Sequence, residues 1–181
     1  MTRGRIAPAR IFPRDVELLE RRARELAAGA AATEEAGGAR RVLFSILGSP
    51  CALDAAAVTR AVARLAGVAP VSMADGGERT VAFVEERPLP VADLSGAAAG
   101  AERHADELAG ACALVLATPA GEVAVAVEGP LDLREERLAA ATTGGRAEAL
   151  EGLRLAGRLA DGTAVLDAEW LLSWAAKAAR G

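Results

Sequence analysis

The sequence contains no tyrosine and few other aromatic residues, with three Phe and two Trp among 181 residues. It therefore lacks the set of stacked rings on which proteins bind single-stranded nucleic acid. Basic residues are not in excess either, because the net charge is −4, whereas nucleic-acid binding needs a clustered basic surface. The one basic cluster is interpreted as a solvated tail or as a dock for an acidic partner: Arg3, Arg5, Arg10 and Arg14. We expect no nucleic-acid partner.

Other absences limit catalysis and metal binding. The single histidine, His104, lies in the polar connector Gly100–Glu107, so a Ser or Cys nucleophile has no evident base beside it. Cys51 and Cys112 have apolar neighbours and no C-x-x-C spacing, which is typical of buried cysteines rather than of redox sites. One His and two distant Cys do not make a tetrahedral zinc site. The sequence predicts no catalytic residue, no metal and no cofactor.

Long apolar runs are also missing. No segment approaches the roughly 18 consecutive apolar residues of a membrane-spanning helix, and the basic start is not followed by the apolar stretch of a secretory signal. We expect a cytoplasmic protein without direct membrane insertion. Apolar residues nevertheless make up 52% of the chain, enough for one compact domain or for two small halves that share a core.

Residues 1–40 are predicted to form an N-terminal helix followed by a linker. Asp15 is a suitable N-cap after Pro13, and Gly29 is a natural end for the helix. Apolar residues recur on one face between them: Val16, Leu19, Ala23 and Leu26. Two interpretations stay open, since this helix either folds back onto the main domain or docks a partner.

From Arg41 onward the pattern is typical of short strands. Apolar runs flank turn residues in three predicted hairpins: Val42–Leu47 with Cys51–Leu53, Thr80–Val84 with Leu89–Leu94, and Ala113–Ala117 with Glu122–Val127. The segment Ala55–Ala63 has helical composition, and Ala69–Glu78 is rich in turn residues. Many short strands separated by Gly and Pro favour small β-barrels over a parallel α/β sheet.

The chain ends in a predicted helix, Leu166–Ala176, which carries Trp170, Leu171 and Trp174 at helical spacing. We expect its two indoles to cover an apolar surface. The order of elements before it repeats, with Leu43 corresponding to Leu114 and Val91 to Val165, at offsets of 71 and 74 residues. This order predicts a duplicated domain over residues 41–176, with halves of about 41–108 and 109–176.

Asp93 and Asp167 occupy equivalent places in these halves. Paired carboxylates serve acid–base catalysis in enzymes, but equivalent positions in a duplicated fold favour the interpretation that each aspartate caps the helical turn after it.

Six segments resemble, in the correct order, the CheW-like domain of bacterial chemotaxis coupling proteins. They are Leu43–Leu53 (opening hairpin), Ala56–Val62, Val68–Val71, Arg87–Leu94 (close to V-V-P-V-I-D-L), Val123–Glu128 and Gly157–Leu172. The resemblance covers residues 41–174 and leaves residues 1–40 outside. It implies a mainly β fold of two intertwined, five-stranded Src-homology-3-like barrels with a hydrophobic groove between them. It also implies a non-enzymatic adaptor that bridges the cytoplasmic tip of methyl-accepting chemoreceptors and the regulatory domain of a CheA-type histidine kinase.

The resemblance further implies a protein-binding site, formed in the family by a V-x-E triplet and an N-L-R-G turn. Their counterparts here are Val58-Thr59-Arg60 and Phe83-Val84-Glu85-Glu86. The candidate site residues are therefore Val58, Arg60, Phe83, Glu85 and Glu86. The usual Glu is an Arg and the usual Arg is a Glu, so we hypothesise an Arg60–Glu85 ion pair of inverted sense. The alternative is that Glu85-Glu86-Arg87 is only a solvated hairpin turn.

The leading prediction for function is thus an adaptor that couples receptor and kinase. The first alternative is a CheW-like module that binds one pathway-specific partner and builds no receptor arrays. The second is a small-barrel enzyme, which requires a deep polar pocket, whereas an adaptor requires an exposed apolar groove.

Overall fold

The computed structural model describes residues 39–74, 76–101, 103–136, 150 and 152–180. Within them the chain forms ten strands: β1 (Ala39–Ile46), β2 (Ser49–Asp54), β3 (Val58–Val62), β4 (Ala66–Ser72), β5 (Glu78–Val84), β6 (Arg87–Asp93), β7 (Cys112–Thr118), β8 (Gly121–Glu136), β9 (Leu155–Arg158) and β10 (Ala164–Leu166). The helices are α1 (Leu94–Ala99), α2 (Ala105–Leu108) and α3 (Ala168–Ala178), with a 3-10 turn at Ala55–Ala57. The predicted mainly β class is confirmed. The predicted N-terminal helix lies outside the described residues, and β1 begins just ahead of Arg41.

The strands form one sheet that is not closed. Its path runs β4-β5-β6-β8-β1-β2-β10-β9, and β7 pairs with both β3 and β8. Among the described residues the path ends at β4 and β9, so two closed five-stranded barrels are not confirmed. The three predicted hairpins are present as the antiparallel pairs β1–β2, β5–β6 and β7–β8.

Strand β8 connects the two parts of the sheet because it is 16 residues long. Its first half pairs with β7 and, in parallel, with β6, through partners such as Val91 and Ala124. Its second half pairs with β1, from Ser45 opposite Glu128 to Ala39 opposite Glu136.

Two large apolar clusters pack on opposite faces of β7 and β8. Leu114, Leu116, Val123 and Val125 belong to the first cluster, whereas Ala113, Val115, Ala124 and Ala126 belong to the second. Successive side chains of a strand point to opposite faces, so burial of both faces explains why these strands are apolar without alternation. Each cluster draws residues from both predicted halves, for example Leu53 and Leu166 in the first.

One sequence-based element prediction was wrong, and another was right only in part. The segment Ala55–Ala63 is not an α-helix: one 3-10 turn is followed by β3, in which the β-branched Val58 and Val62 pair with β7. The turn-rich segment Ala69–Glu78 is a turn only in its centre, where the Gly76 N–H donates to the Met73 carbonyl, whereas Ala69–Ser72 belong to β4 and Glu78 begins β5.

The two equivalent aspartates behave differently. Asp167 caps α3 as expected, since its Oδ1 accepts a hydrogen bond from the Trp170 N–H at 3.0 Å. Asp93 precedes α1 but makes no capping hydrogen bond, so that prediction was wrong. The Asp93 carboxylate instead forms a two-point ion pair with Arg103, whose Nε lies 2.8 Å from Oδ2. The charge of a guanidinium attracts a carboxylate more strongly than a neutral backbone N–H does.

Helix α3 covers the first apolar cluster. Leu171 and Ala175 are buried, and Trp170 and Trp174 pack on the cluster with their rings stacked at 6.1 Å and 15°. The predicted indole cover is confirmed. Cys51 is buried in the same cluster, and this burial raises the pKa of its thiol to about 12. None of the helices in the described part of the chain has the length and apolarity needed to span a membrane.

Candidate protein-binding surface

Val58 and Arg60 lie on β3 rather than on a helix. The strand pairs with β7, and its register shifts between Val58 and Arg60. Alternating exposure along β3 leaves Val58 and Arg60 half-buried and Thr59 exposed. The Thr59 hydroxyl donates a hydrogen bond to the Val115 carbonyl at 3.0 Å, which ties β3 to the buried β7.

Glu85 and Glu86 form the two-residue turn between β5 and β6. Both have positive φ, 49° and 65°, as the central residues of a type I′ hairpin turn require. Such positions favour Asn and Gly because a Cβ is strained there. Glu86 is exposed, and within the described residues its carboxylate has no hydrogen-bond or ion-pair partner.

We predict that Glu86→Gly stabilises the protein by about 1 kcal/mol, because glycine occupies positive φ without strain. The free energy of unfolding in urea measures the gain. Glu86→Ala is the control, since it removes the same carboxylate but keeps the Cβ. A gain of equal size in both variants means that loss of the charge, not relief of backbone strain, is the cause.

The hypothesised Arg60–Glu85 ion pair is present. Arg60 Nη1 lies 2.9 Å from Glu85 Oε2, and Arg60 Nη2 lies 2.6 Å from Glu122 Oε1. Arg87 Nη1 lies 3.0 Å from the other Glu122 oxygen. These four residues, Arg60, Glu85, Arg87 and Glu122, are hereafter the charge network. It joins β3, the β5–β6 turn and β8, with two positive and two negative charges.

The inner members of the charge network are Arg60 and Glu122, whose side chains are 23% and 25% exposed, whereas Glu85 is 72% exposed. Hydrogen bonds from Arg60 to Glu85 and Glu122 raise the pKa of the Arg60 guanidinium above its ordinary value. The Arg60 Nε is buried and has no hydrogen-bond partner within the part of the chain that the structure describes. Arg60 is therefore fixed by carboxylates on two sides and has little freedom to reach an outside group.

An apolar groove begins beside Arg60, between β3, the start of β1 and the second half of β8. Its volume is about 400 Å³. Six apolar side chains line it together with Arg40, Thr59, Arg60 and Asp132: Val42, Ala55, Val58, Ala61, Leu131 and Leu133. Leu133 is 48% exposed. The groove thus combines an apolar floor with charged edges.

Phe83 is the candidate that the structure places apart from the groove. It is 52% exposed on β5, and its ring lies over Gly67 of β4. Its cross-strand partner on β6 is the exposed Pro88. The five candidate residues therefore do not form one continuous site. Val58 and Arg60 line the groove, and Glu85 contacts Arg60 through the ion pair. Glu86 lies on the turn and Phe83 lies near the end of β5, so both are outside the groove lining.

A larger cavity of about 540 Å³ lies between β5, β6, α1 and α3. Its lining includes Asp93, Arg103 and Trp174. The two carboxylates that acid–base chemistry would need are engaged separately, since Asp93 pairs with Arg103 and Asp167 Oδ2 lies 3.0 Å from Arg154 Nε. His104 is exposed at the start of α2, where its backbone N–H donates to Glu107. Among the described residues no group of three His, Cys, Asp or Glu is arranged to hold a metal ion.

The sequence analysis missed Glu122 and the apolar residues Leu131 and Leu133. Glu122 is the one charged residue in the half of β8 that pairs with β7. A charge in an otherwise apolar strand could have indicated an ion-pair partner elsewhere in the chain. Leu131 and Leu133 gave no such signal, because nothing in the sequence indicates that β8 continues to Glu136.

No family model matches this chain, and no curated protein matches it. Among solved structures, it matches the crystal structure of the scaffolding protein TtCheW from Thermoanaerobacter tengcongensis. The sequences are 13% identical, the TM-score is 0.47, and the match covers 71% of this chain and 87% of that one. A likeness of this degree does not establish membership of a family.

Proposed function

We propose that this chain is a non-catalytic adaptor that couples the cytoplasmic tip of a methyl-accepting chemoreceptor to the regulatory domain of a CheA-type histidine kinase. The observation that carries the proposal is the Arg60–Glu85 ion pair. Two segments 25 residues apart were assigned to one surface by their resemblance to the contact motifs of CheW-like proteins, and their reversed charges meet. If Glu85-Glu86-Arg87 were only a solvated turn, there would be no reason for the charge at position 85 to be reversed together with the charge at position 60.

The groove beside this pair supports docking of a protein. Specific interfaces place apolar side chains at the centre and charged ones at the rim. Val58, Leu131 and Leu133 supply the apolar part, and Arg40 and Asp132 supply opposite charges at its edge. The partners proposed here work in the cytoplasm, which is the location that we infer for the chain.

We infer that the domain is the intertwined pair of halves predicted from the sequence, about 41–108 and 109–176. Support comes from the two apolar clusters, because each contains residues of both halves. In the second cluster, for example, Leu65 and Leu89 pack with Val115 and Ala126. Neither half buries its apolar surface without the other, as intertwining requires.

The test is calorimetry with the full-length chain against the CheA-type regulatory domain and the receptor cytoplasmic fragments of the same genome. We expect Leu133→Asp to weaken binding of at least one partner about tenfold or more, because it places a charge in the apolar groove. Leu155→Asp on β9 is the matched control, since Leu155 is 36% exposed and does not line the groove.

The outcomes separate the candidate functions. Binding to both partners, weakened only by the groove variant, supports the coupling adaptor. Binding to one partner alone supports the alternative of a module that builds no arrays. Binding to none of the encoded kinases and receptors rejects both, and directs attention to residues 1–40.

A further inference from the structure

We propose that the cavity of about 540 Å³ between β5, β6, α1 and α3, hereafter the α1–α3 cavity, binds an uncharged small molecule that combines an aromatic ring with an amide group. The inference goes beyond the adaptor function and does not depend on it, because the cavity and the groove beside Arg60 share no lining residue. Small-molecule sites have volumes of about 300–1,000 Å³ and combine apolar walls with a few converging polar groups. The α1–α3 cavity has both properties.

The apolar walls of the cavity come from both predicted halves of the domain. Val91 and Leu108 line it from the first half, and Trp174 lines it from the second. Trp174 is only partly buried and is the one aromatic residue among the described residues of the lining. The lining residues of α1 and of the turn after it are all small: Gly96, Ala97, Gly100 and Ala101. They leave room for a flat ring, and the indole of Trp174 favours an aromatic ring over an aliphatic chain.

The charges of the lining balance each other. Among the described residues, two cationic and two anionic side chains line the cavity: Glu78, Arg79, Asp93 and Arg103. A nucleotide or another polyanion binds where positive charge is in excess, and the two carboxylates would repel it. A zwitterion matches the balance, but it loses more hydration on burial than an uncharged amide does. The lining therefore favours an uncharged ligand.

The Asp93–Arg103 ion pair supplies the hydrogen-bonding groups that an amide requires. The two side chains are 12% and 28% exposed, and the hydrogen bond to Asp93 raises the pKa of the Arg103 guanidinium above its ordinary value. The pair uses only Nε and Nη2 of Arg103, with one bond to each Asp93 oxygen. A guanidinium has five N–H donors and a carboxylate accepts about four hydrogen bonds, and Arg103 Nη1 bonds to no other described residue. A donor and an acceptor thus remain side by side, as the C=O and N–H of an amide require.

Three soluble probes of nearly equal shape test the assignment: benzamide, acetophenone and benzoate. Benzamide offers a donor and an acceptor, acetophenone keeps only the acceptor, and benzoate carries a negative charge. Binding to the full-length chain is followed by NMR through the indole N–H signal of Trp174, which Trp170→Phe identifies. We expect saturable binding of benzamide in the millimolar range, as its small size requires, with acetophenone about fivefold weaker and benzoate about tenfold weaker or more.

Ala97→Leu places a larger side chain in the cavity and should weaken benzamide binding about tenfold or more. Ala99→Leu is the matched control, because Ala99 is exposed on the same helix but does not line the cavity. We expect it to change the affinity by less than about twofold. Circular dichroism establishes that both variants fold.

Preference for benzamide that is lost only in Ala97→Leu supports the inference. No benzamide binding by the wild-type chain, equal affinities for the three probes, tighter binding of benzoate, or an equal loss in the two leucine variants overturns it. The adaptor function is decided separately, by binding of the kinase and receptor fragments.

Discussion

Replacing Gly96 with alanine is expected to lower the free energy of unfolding by about 3 kcal/mol, although helix propensity alone predicts a gain of about 1 kcal/mol. Gly96 is buried in α1. A Cβ at this position would overlap the Asp93 carboxylate and the carbonyl oxygen of Ala101. The α1 C-terminus turns back through Gly100, and the Ala101 N–H bonds to the Gly96 carbonyl at 3.0 Å. The obstacle on that side is therefore backbone, which does not move away as a flexible side chain does.

Urea unfolding followed by circular dichroism measures the loss. A double-mutant cycle with Asp93→Ala identifies its source, since truncation of Asp93 removes one of the two obstacles. We expect Gly96→Ala to cost less in the Asp93→Ala background, but still to destabilise, because the Ala101 carbonyl remains. If Gly96→Ala raises stability in the wild-type background, α1 does not pack against Asp93 as described.

The fold was predictable where the secondary structure favoured by the local sequence is also the one that tertiary packing requires. The β5–β6 and β7–β8 hairpins follow from apolar runs on either side of turn residues, and Asp167 caps α3 as its position indicates. The segment after Asp54 was predicted wrongly because alanine favours helices, while pairing with β7 determined the outcome. The closed barrels predicted by resemblance are not confirmed, because the sheet path ends at β4 and β9.

The candidate site was also predictable only in part. The Arg60–Glu85 pair was predictable because two motif positions changed sign together. Glu122 was not, since it lies 62 residues from Arg60 in sequence and its place depends on the register between β7 and β8. A long-range ion pair follows from strand order and register, which the sequence does not reveal directly.

A substitution of Glu122 should have the largest effect on the charge network, because Glu122 contacts both of its arginines. Its side chain is 25% exposed and its carboxylate holds Arg60 at 2.6 Å and Arg87 at 3.0 Å. Glu122→Lys replaces two attractions by two repulsions in a partly buried site, so we expect the free energy of unfolding to fall by about 2–3 kcal/mol. Glu122→Gln removes only the charge and should cost about 1 kcal/mol.

The matched control is Glu86→Lys, which makes the same substitution on the neighbouring turn. Glu86 is exposed and has no partner among the described residues, so its reversal should change stability by less than about 0.5 kcal/mol. Thermal and urea unfolding of the three variants at low and high salt measure the change in the free energy of unfolding. Salt should restore only part of the stability that Glu122→Lys loses, because partly buried charges are screened less than exposed ones. Equal effects of the two Lys variants would contradict the charge network and with it the structural basis of the proposed adaptor surface. A large effect at Glu122 beside a negligible one at Glu86 would mean that the charge network stabilises this surface, whereas the exposed turn carboxylate does not.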